Sequence, residues 1–303
     1  MSADNVTVIG ATGSLAVPVI HRWASRGVAV KALVRDVDKA RGLLPGETEL
    51  IRADLRDVDS LRRGLAGTRH LYLNLSTNTL DPNRTFYPEH QGVENVLQAV
   101  RGGTVEQILQ LSGLGSHPAN ADRMPFFPNV VRQRGQTRIR ESGIPFTFFH
   151  ATWFLDAFPR FVRNGSVTLL GRFDSPFYFA NSTDLADQVH RAIGNPAAAG
   201  RDFAIQGAEA LPVDEAIARF VAVVSPGMPV RRLPLWLASA LGLVVPQLRY
   251  AVAMTRFLQG FSAELLAEET WEVLGRPTST LEDFFRAGGP IAPAAVIPAA
   301  VAE

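Results

Sequence analysis

Short apolar runs alternate with longer amphipathic stretches through the first half of the chain. The apolar runs are rich in leucine and β-branched residues, and Val6-Thr7-Val8-Ile9 is typical of a strand that is buried on both faces. The stretches between them repeat with the period of helices that cover a sheet. This pattern predicts strands at 6–9, 29–34, 48–52, 70–75, 106–112 and 145–150, with helices near 14–26, 36–43, 57–65, 88–102 and 130–142.

The regular alternation of strands and helices indicates an α/β fold with a doubly wound parallel sheet of the Rossmann type, because right-handed crossovers place helices on both faces. After the sixth strand the pattern changes to clustered aromatic residues, then a helix that begins near Ser182-Thr183-Asp184, then mostly helical stretches. We therefore expect a Rossmann domain and a smaller, mostly helical C-terminal substrate domain. The expected boundaries are 1–152 and 180–205 for the Rossmann domain, 153–179 and 206–287 for the substrate domain, and 288–303 for a mobile tail rich in proline and alanine.

The segment that joins the first strand to the first helix reads Gly10-Ala11-Thr12-Gly13-Ser14-Leu15-Ala16. Gly10 allows a tight turn, and Gly13 lets the backbone approach a pyrophosphate. The amides of Thr12, Ser14 and Leu15 would face that group from the helix N-terminus, where partial positive charge concentrates. An ordinary strand-to-helix turn is the alternative, but the position at the start of a βαβ unit favours dinucleotide binding.

The end of the second strand bears on which dinucleotide binds. Arg35 stands at its tip and Lys39 follows one helical turn later, and a guanidinium suits the 2′-phosphate of NADP(H). In the alternative, Asp36 accepts the ribose hydroxyls of NAD. We predict NADP(H). The remaining predicted contacts are Asp54 and Leu55 beside the adenine, with a helix cap as the alternative for Asp54, and Asn74 and Ser76 towards the nicotinamide.

The chain resembles the NmrA-like group of atypical short-chain dehydrogenase/reductases along nearly its whole length. The resemblance implies a Rossmann domain with a smaller substrate domain, a preference for NADP(H), and activities that range from natural-product reductases to redox-sensing regulators without catalysis. Besides the glycine-rich loop, the motifs that carry it are LVRD at 33–36, ADL at 53–55, LQLS at 109–112, RESGIPFT at 140–147, DLA at 184–186 and LGRP at 274–277.

The resemblance also implies a catalytic serine after the fifth strand and a Tyr-x-x-x-Lys pair on the next helix. Ser112 stands at the serine position, but counting back from Ser142 places Arg132 at the lysine position and Pro128 at the tyrosine position. The pair is therefore predicted to be absent. Arg132 could still orient the cofactor ribose, although a guanidinium does not give up its proton.

Other polar and aromatic residues could serve the substrate end. We expect Ser112 to polarise the acceptor and Tyr87 or water to supply the proton. His117, Trp153, Phe154 and Tyr178 are candidate substrate contacts, while His90 and Asn181 are further polar candidates. Each also has an ordinary structural explanation as a surface, capping or core residue. His150 closes the sixth strand and is predicted to be structural.

Composition narrows the function classes further. The net charge of the 303 residues is +1 with acids and bases interspersed, which argues against nucleic acid and favours a small apolar substrate. The absence of cysteine excludes thiolate chemistry and suits a cytoplasmic protein, and the six histidines lack metal-ligand spacing. The uncharged stretch 233–248 is too short to span a bilayer and is predicted to be a buried helix or pocket wall.

These observations predict an NADP(H)-dependent reductase that transfers hydride to a small apolar ketone, enone or imine, with natural-product biosynthesis as its candidate role, and that is a monomer or homodimer. Two alternatives remain open at this point. The first is an NADP-binding redox sensor without catalysis, and the second is a fold reused for non-redox chemistry such as cyclisation.

Overall fold

A seven-stranded parallel sheet forms the centre of the computed structural model, which describes residues 5–120, 126–260 and 264–289. The strands are β1 Asn5–Ile9, β2 Ala29–Val34, β3 Glu49–Arg52, β4 His70–Leu73, β5 Gln107–Gly113, β6 Phe146–Ala151, β7 Val162–Arg163, β8 Ser166–Leu170, β9 Arg201–Ile205 and β10 Val230–Leu233. The order in the large sheet is β3-β2-β1-β4-β5-β6-β9. The direction of winding reverses between β1 and β4, which is where doubly wound sheets bind ligands. The predicted doubly wound sheet is confirmed.

Helices cover both faces of this sheet. They are α1 Ala16–Ala24, α2 Val37–Arg41, α3 Val58–Gly64, α4 Val93–Val100, α5 Phe127–Glu141, α6 Ser182–Ala192, α7 Val213–Val224, α8 Leu235–Leu241, α9 Pro246–Gln259, α10 Glu268–Leu274 and α11 Leu281–Arg286. On one face α1 packs against α6, and the indole of Trp23 donates to the carbonyl of Ala186 at 2.8 Å. On the other face α3, α4 and α5 cover a second apolar cluster. The helix predicted near 88–102 begins as a π-helical turn, Pro88–Gly92, before α4.

One strand of the large sheet, β9, was not predicted. It extends the sheet beyond β6 in parallel register, with Ala151 opposite Ile205. Its first two residues, Arg201 and Asp202, are charged, so the short run that follows lacks the continuous apolar character of a central strand. The return of the chain to the sheet after α6 is nevertheless as expected.

The region after β6 has its own core. Trp153 lies at the centre of an aromatic cluster, with its ring 5.3 Å from Phe173 and 5.6 Å from Phe177, centroid to centroid. Phe158 is fully buried in the same cluster. The C-terminal part is largely helical, as predicted, but β7, β8 and β10 form an additional three-stranded sheet that was not predicted. Residues 290–303, most of the predicted tail, lie outside the described residues.

For the stretch 233–248, the first of the two predicted roles, a buried helix, is wrong, while the second, a pocket wall, stays a prediction. The stretch is divided between α8 and the start of α9, and its largest side chain, Trp236, is 72% exposed. Leu243 and Val244, in the connection, are also largely exposed. Within the described residues, no helix has both the length and the apolarity that a membrane span requires.

A buried carboxylate, Asp156, joins the segment after β6 to the start of α6. Its Oδ2 accepts the amide of Ser182 at 3.0 Å, while Oδ1 has no hydrogen-bond partner in the described part of the chain. Burial raises the pKa of Asp156 from its ordinary value of 3.8 to about 6. Between pH 3.8 and 6, Asp156 keeps its proton in the folded protein but has lost it in the unfolded chain. The proton bound by the folded state stabilises that state, and this stabilisation is lost as the pH rises through 6.

Asp156→Asn is expected to be more stable than the wild type at pH 7.5, by up to about 3 kcal/mol if the whole shift of roughly two units is recovered. The advantage should shrink as the pH falls below 6, because the folded wild-type carboxyl is then protonated, and should vanish below pH 3.8, where the carboxyl is neutral in the unfolded chain as well. Chemical denaturation at pH 4.5 and 7.5 measures it. Asp38→Asn, at an exposed position on α2, is the matched control and should show no such pH dependence. A pH-independent difference for Asp156→Asn would contradict the assignment.

Candidate active site

The corner between β1 and α1 is built around two glycines and Asn74. Gly10 has φ +84°, and a Cβ placed on it would lie 2.2 Å from the carbonyl oxygen of Asn74. A Cβ on Gly13 would lie 2.7 Å from the Asn74 side-chain nitrogen. The backbone amide of Asn74 donates to the carbonyl of Ile9 at 2.9 Å, which holds the end of β4 in place. A side chain at Gly10 would therefore collide with fixed backbone, and one at Gly13 would displace the side chain of Asn74.

Free backbone donors line the same corner. The amide of Gly13 donates to the carbonyl of Gly10 at 3.0 Å, but within the described residues the amides of Thr12, Ser14 and Leu15 make no hydrogen bond. The first turn of α1 carries no acidic residue, and no side chain in the described part of the protein caps it. Its partial positive charge is thus uncompensated, and the glycines leave room for an anion against the backbone.

Arg160 adds a full positive charge to this corner. It lies in the 3-10 segment Leu155–Phe161, and its guanidinium donates to the hydroxyl of Ser14. A cation near a helix N-terminus is repelled by the partial positive charge there. An anion bound between the two is attracted by both and makes the arrangement favourable. The prediction from sequence did not include Arg160. The only available signal was a single cation within an aromatic segment directly after β6.

Cations also border the tip of β2. Asp36 is engaged as the N-cap of α2, where its carboxylate accepts the amide of Lys39 at 3.0 Å. The exposed guanidinium of Arg35 has no hydrogen bond or ion pair in the described ranges. Arg52, which the sequence analysis did not select, lies opposite Val34 in the β2–β3 register and is also exposed. The edge of the sheet next to Arg35 is therefore positively charged, and the carboxylate of Asp36 there already accepts the amide of Lys39.

The other predicted cofactor contacts lie in turns at the carboxyl ends of β3 and β4. The carboxylate of Asp54 accepts the amide of Arg56 at 2.8 Å, and the cap of α3 is Asp57 rather than Asp54. The carbonyl of Leu55 accepts the Asn95 side chain at 2.7 Å. Ser76 is exposed, and its hydroxyl donates to the side chain of Asn78 at 2.7 Å. These residues make local hydrogen bonds at the same edge of the sheet as the β1–α1 corner.

Ser112 lies near the end of β5 in a buried polar network. Its Oγ accepts the side-chain amide of Gln136 at 3.0 Å and lies 2.6 Å from the hydroxyl oxygen of Ser116. Ser116 in turn lies 3.3 Å from Nδ1 of His150. The sequence singled out Ser112 and His150 separately but gave no reason to join them.

Arg132 forms a buried ion pair beside Ser112. Its Nε donates to Glu89 Oε1 at 2.6 Å, and Glu89 is fully buried on the π-helical turn. The amide of Thr77 donates to the second oxygen of Glu89 at 2.8 Å. A Cβ on Gly113 would lie 2.9 Å from Arg132 Nη1, so the guanidinium rests against the residue that follows Ser112. The pair connects α5 to the loop after β4.

The predicted proton donor Tyr87 is already hydrogen-bonded within its own loop. Its hydroxyl donates to the carbonyl of Asp81 at 2.7 Å and accepts the amide of Arg84 at 3.1 Å, and the side chain is buried. This geometry argues against a role as a free acid. A different phenol, that of Tyr250 on α9, lies near Arg132; burial raises the pKa of Tyr250, and the charge of Arg132 partly opposes this.

The predicted substrate contacts occupy two places. His117 packs its ring edge-to-face on His150, with centroids 5.1 Å apart, and burial lowers the pKa of His117 to about 4. His117 is therefore neutral at physiological pH. Trp153 and Phe154 belong to the packed region after β6, and Tyr178 is half-buried beside it. Trp153 and Phe154 therefore contribute to the apolar core in this arrangement.

Comparison with known proteins agrees with the geometry of the corner. A sequence model described as NAD(P)H-binding matches residues 10–196. The chain belongs to this NAD(P)H-binding family. The predicted NAD(P)-binding Rossmann family, with its NmrA-like resemblance, is confirmed at this level. In the described part of the chain, no group of three or more histidine, aspartate or glutamate side chains is placed to hold a metal ion.

Three relatives extend the comparison over almost the whole chain. The NAD(P)H azoreductase of Xenophilus azovorans is 24% identical over 298 residues, covering 93% of this chain and 97% of that protein. The structure of an NADPH-dependent quinone oxidoreductase from Escherichia coli, complexed with NADPH, matches with TM-score 0.70 and 21% identity, covering 93% and 99% of the two chains. The triphenylmethane reductase of Citrobacter sp., complexed with NADP(H), matches with TM-score 0.71 and 19% identity, again covering 93% and 99%. At these identities the structural matches establish the fold.

Proposed function

We propose that this protein is an NADPH-dependent reductase of a flat, apolar, conjugated acceptor. The observation that carries the proposal is the β1–α1 corner, where three backbone amides of the described chain lack partners and Gly10 and Gly13 leave space beside Asn74. This arrangement fits two linked phosphates. Arg160 supplies the matching charge at Ser14.

The preference for NADPH over NADH is assigned to Arg35. Because Asp36 is committed to capping α2, it is poorly placed to accept a ribose hydroxyl, whereas the unpaired guanidinium of Arg35 suits a 2′-phosphate. Arg52 and Lys39 add to the positive charge on the same edge.

Arg35→Ala is expected to weaken NADPH binding by about 10- to 100-fold, the loss of one or two charge-assisted hydrogen bonds, and to leave NADH binding unchanged. Isothermal titration calorimetry with each nucleotide measures both affinities. Arg41→Ala is the matched control, because Arg41 is an exposed arginine at the end of α2, the helix that follows Arg35, and pairs with Asp38. If Arg35→Ala weakened the binding of NADPH and NADH equally, or weakened the binding of neither, the role given to Arg35 would be refuted.

The acceptor class is inferred from the relatives together with the surroundings of Ser112. The names of the three relatives include an azo compound, a quinone and a triphenylmethane, which are all conjugated and largely apolar. We extend the predicted ketone, enone or imine to this wider class. Oxidation of NADPH, followed at its absorbance maximum with a quinone, an enone, an imine and an azo dye, tests the proposal. Tight NADPH binding without turnover of any of them would contradict it.

A bound nicotinamide supplies the hydride in this chemistry. The residues of the chain then bind the acceptor, exclude water and provide a proton at the reduced oxygen or nitrogen. Ser112 is assigned the contact with the acceptor, through its hydroxyl. Arg132 is assigned a positioning role, since its pairing with Glu89 fixes it against Gly113. The sequence of α5, FPNVVRQRGQTRIRE, contains neither tyrosine nor lysine, so the proton is supplied from elsewhere.

A second candidate function is a redox sensor that binds NADP(H) and a protein partner. The exposed apolar side chains of Trp236, Leu243 and Val244 favour it, because such a surface suits a protein contact. The two candidates differ in turnover. A sensor binds NADPH and does not consume it with any acceptor, whereas a reductase does.

A further inference from the structure

A continuous line of hydrogen bonds leads from Ser112 to the outer edge of the sheet. The Oγ atoms of Ser112 and Ser116 are 2.6 Å apart, and Ser116 Oγ lies 3.3 Å from His150 Nδ1. In the resting arrangement the Ser116 hydroxyl donates to the carbonyl of Gly113 at 2.8 Å. The opposite ring nitrogen, Nε2, lies 2.8 Å from Asp202 Oδ1. His150 is 0% exposed, while the Asp202 side chain is 15% exposed. The line therefore begins at the predicted catalytic serine and ends at a carboxylate that water can reach.

The sheet itself brings these residues together. Ser112 on β5 is directly opposite His150 on β6, and Asp202 on β9 is opposite Phe148, two residues before His150. Side chains two residues apart point to the same face of a strand. Arg140 donates to both oxygens of Asp202 at 2.7 Å. Burial opposes the ionisation of Asp202, but the bonds from His150 and Arg140 keep the pKa of that carboxyl below its ordinary value.

We propose that Ser116, His150 and Asp202 form a proton relay that resupplies the hydroxyl of Ser112 during reduction. The inference rests on the proposed reductase function and names the source of its proton. It also gives His150 a role beyond structure, and it does not depend on a tyrosine on α5.

The proton transfers balance along the line. As hydride is added to the acceptor, Ser112 Oγ–H gives its proton to the acceptor oxygen or nitrogen. The Ser116 hydroxyl turns from the carbonyl of Gly113 and its proton restores Ser112, and Nδ1–H of the His150 imidazolium restores Ser116. His150 is left neutral, with Nε2–H donating to ionised Asp202. A proton from water, entering beside Asp202, returns His150 to the imidazolium. The net reaction consumes one hydride and one solvent proton for each acceptor reduced.

The groups around His150 set when it carries that proton. Asp202 on β9 and a hydrogen bond to the backbone of Gly113 favour the imidazolium, whereas the charge of Arg132 on α5 opposes it. The ring of His117, packed edge-to-face on His150, is itself neutral. Burial is the largest influence and lowers the pKa of His150 below its ordinary 6.5. The imidazolium is thus a minority species at pH 7 that gives up its proton readily. Turnover should therefore fall as the pH rises.

The first test uses the nucleotide-free protein with 15N-labelled histidine. The His150 resonances, assigned with His150→Gln, should show a neutral ring protonated at Nε2, and Ser116→Ala should shift the Nδ1 signal. Ser112→Ala should shift it by less, through Ser116. Ser166→Ala, which removes another buried hydroxyl that bonds to the carbonyl of Arg163, is the matched control and should leave it unmoved. A Nδ1 signal unaffected by Ser116→Ala would overturn the relay.

The second test measures turnover with NADPH and whichever acceptor the reductase assay finds. Ser116→Ala should lower kcat by about 10²-fold, leave the Kd for NADPH unchanged, and remove both the fall of kcat with rising pH and the solvent deuterium isotope effect. His150→Gln should do the same, with circular dichroism confirming its fold. A Ser116→Ala enzyme with wild-type kcat and pH profile would refute the relay. Failure to bind NADPH would instead reject the proposed function, and the NMR test distinguishes the two failures.

Discussion

Gly10→Ala is expected to abolish measurable NADPH binding and to destabilise the protein by about 2–5 kcal/mol. The left-handed φ of +84° costs an L-residue about 1–2 kcal/mol, and forcing a methyl group into a packed site costs about 1–3 kcal/mol more. The new Cβ would meet the carbonyl oxygen of Asn74 at 2.2 Å, and Asn74 cannot withdraw because its amide is bonded to Ile9. Urea denaturation and calorimetry with NADPH measure the two effects.

The variant Gly143→Ala separates the cost of a left-handed backbone conformation from the cost of a steric collision. Gly143 also has a left-handed φ, +74°, but a Cβ there would meet nothing within 4 Å. It follows α5 on the surface, away from the β1–α1 corner. We expect it to cost only the conformational part, about 1–2 kcal/mol, and to leave the Kd for NADPH unchanged. A Gly10→Ala protein that folds and binds NADPH with wild-type affinity would show that the phosphates do not lie at this corner.

The central sheet could be predicted because its strands are buried on both faces. Such strands are short apolar runs, and a run such as Val6 to Ile9 stands out from the amphipathic helix that follows it. β9 was missed because it is an edge strand that opens with Arg201 and Asp202. Asp202 is charged for a reason that only the structure reveals, since its carboxylate receives His150 and Arg140.

The region after β6 was harder to predict because several of its contacts join distant segments. β8 pairs with β10, and their partners Val167 and Val230 are far apart in sequence. No periodic pattern of apolar residues in the local sequence indicates that pairing. The stretch 233–248 was misjudged for a different reason: apolar composition indicates burial only on average, and Trp236 lies on the surface.

The cofactor corner could be located from sequence because its chemistry is local, in a loop of consecutive residues. The polar groups around Ser112 could not, because each comes from a different element. Glu89, Ser116 and Asp202 are separated along the chain and meet only when β4, β5, β6 and β9 lie side by side. The sequence does not indicate that Glu89 is fully buried. It identifies its partner Arg132 only as the residue at the position where the resemblance implies a lysine.

The pair of Glu89 and Arg132 gives the second large expected effect. Arg132→Met removes the partner of a fully buried carboxylate, which retains only the amide of Thr77 as a close donor in the described structure. An uncompensated charge of this kind costs about 3–5 kcal/mol. We expect a loss of that size in urea denaturation, together with reduced turnover, because the guanidinium no longer supports Gly113 beside Ser112.

The double variant Glu89→Gln/Arg132→Met tests the cause of that loss. Glutamine still accepts the amide of Thr77 but carries no charge, so the double variant should be more stable than Arg132→Met alone. Arg69→Met is the matched control for loss of an arginine, since Arg69 and Glu106 form an ion pair whose side chains are 58% and 53% exposed, and no measurable change is expected. If Arg132→Met proved as mild as Arg69→Met, Glu89 would have to be solvated or neutral without its partner. If the double variant were no more stable than Arg132→Met, the loss would come from packing of the arginine side chain rather than from its charge.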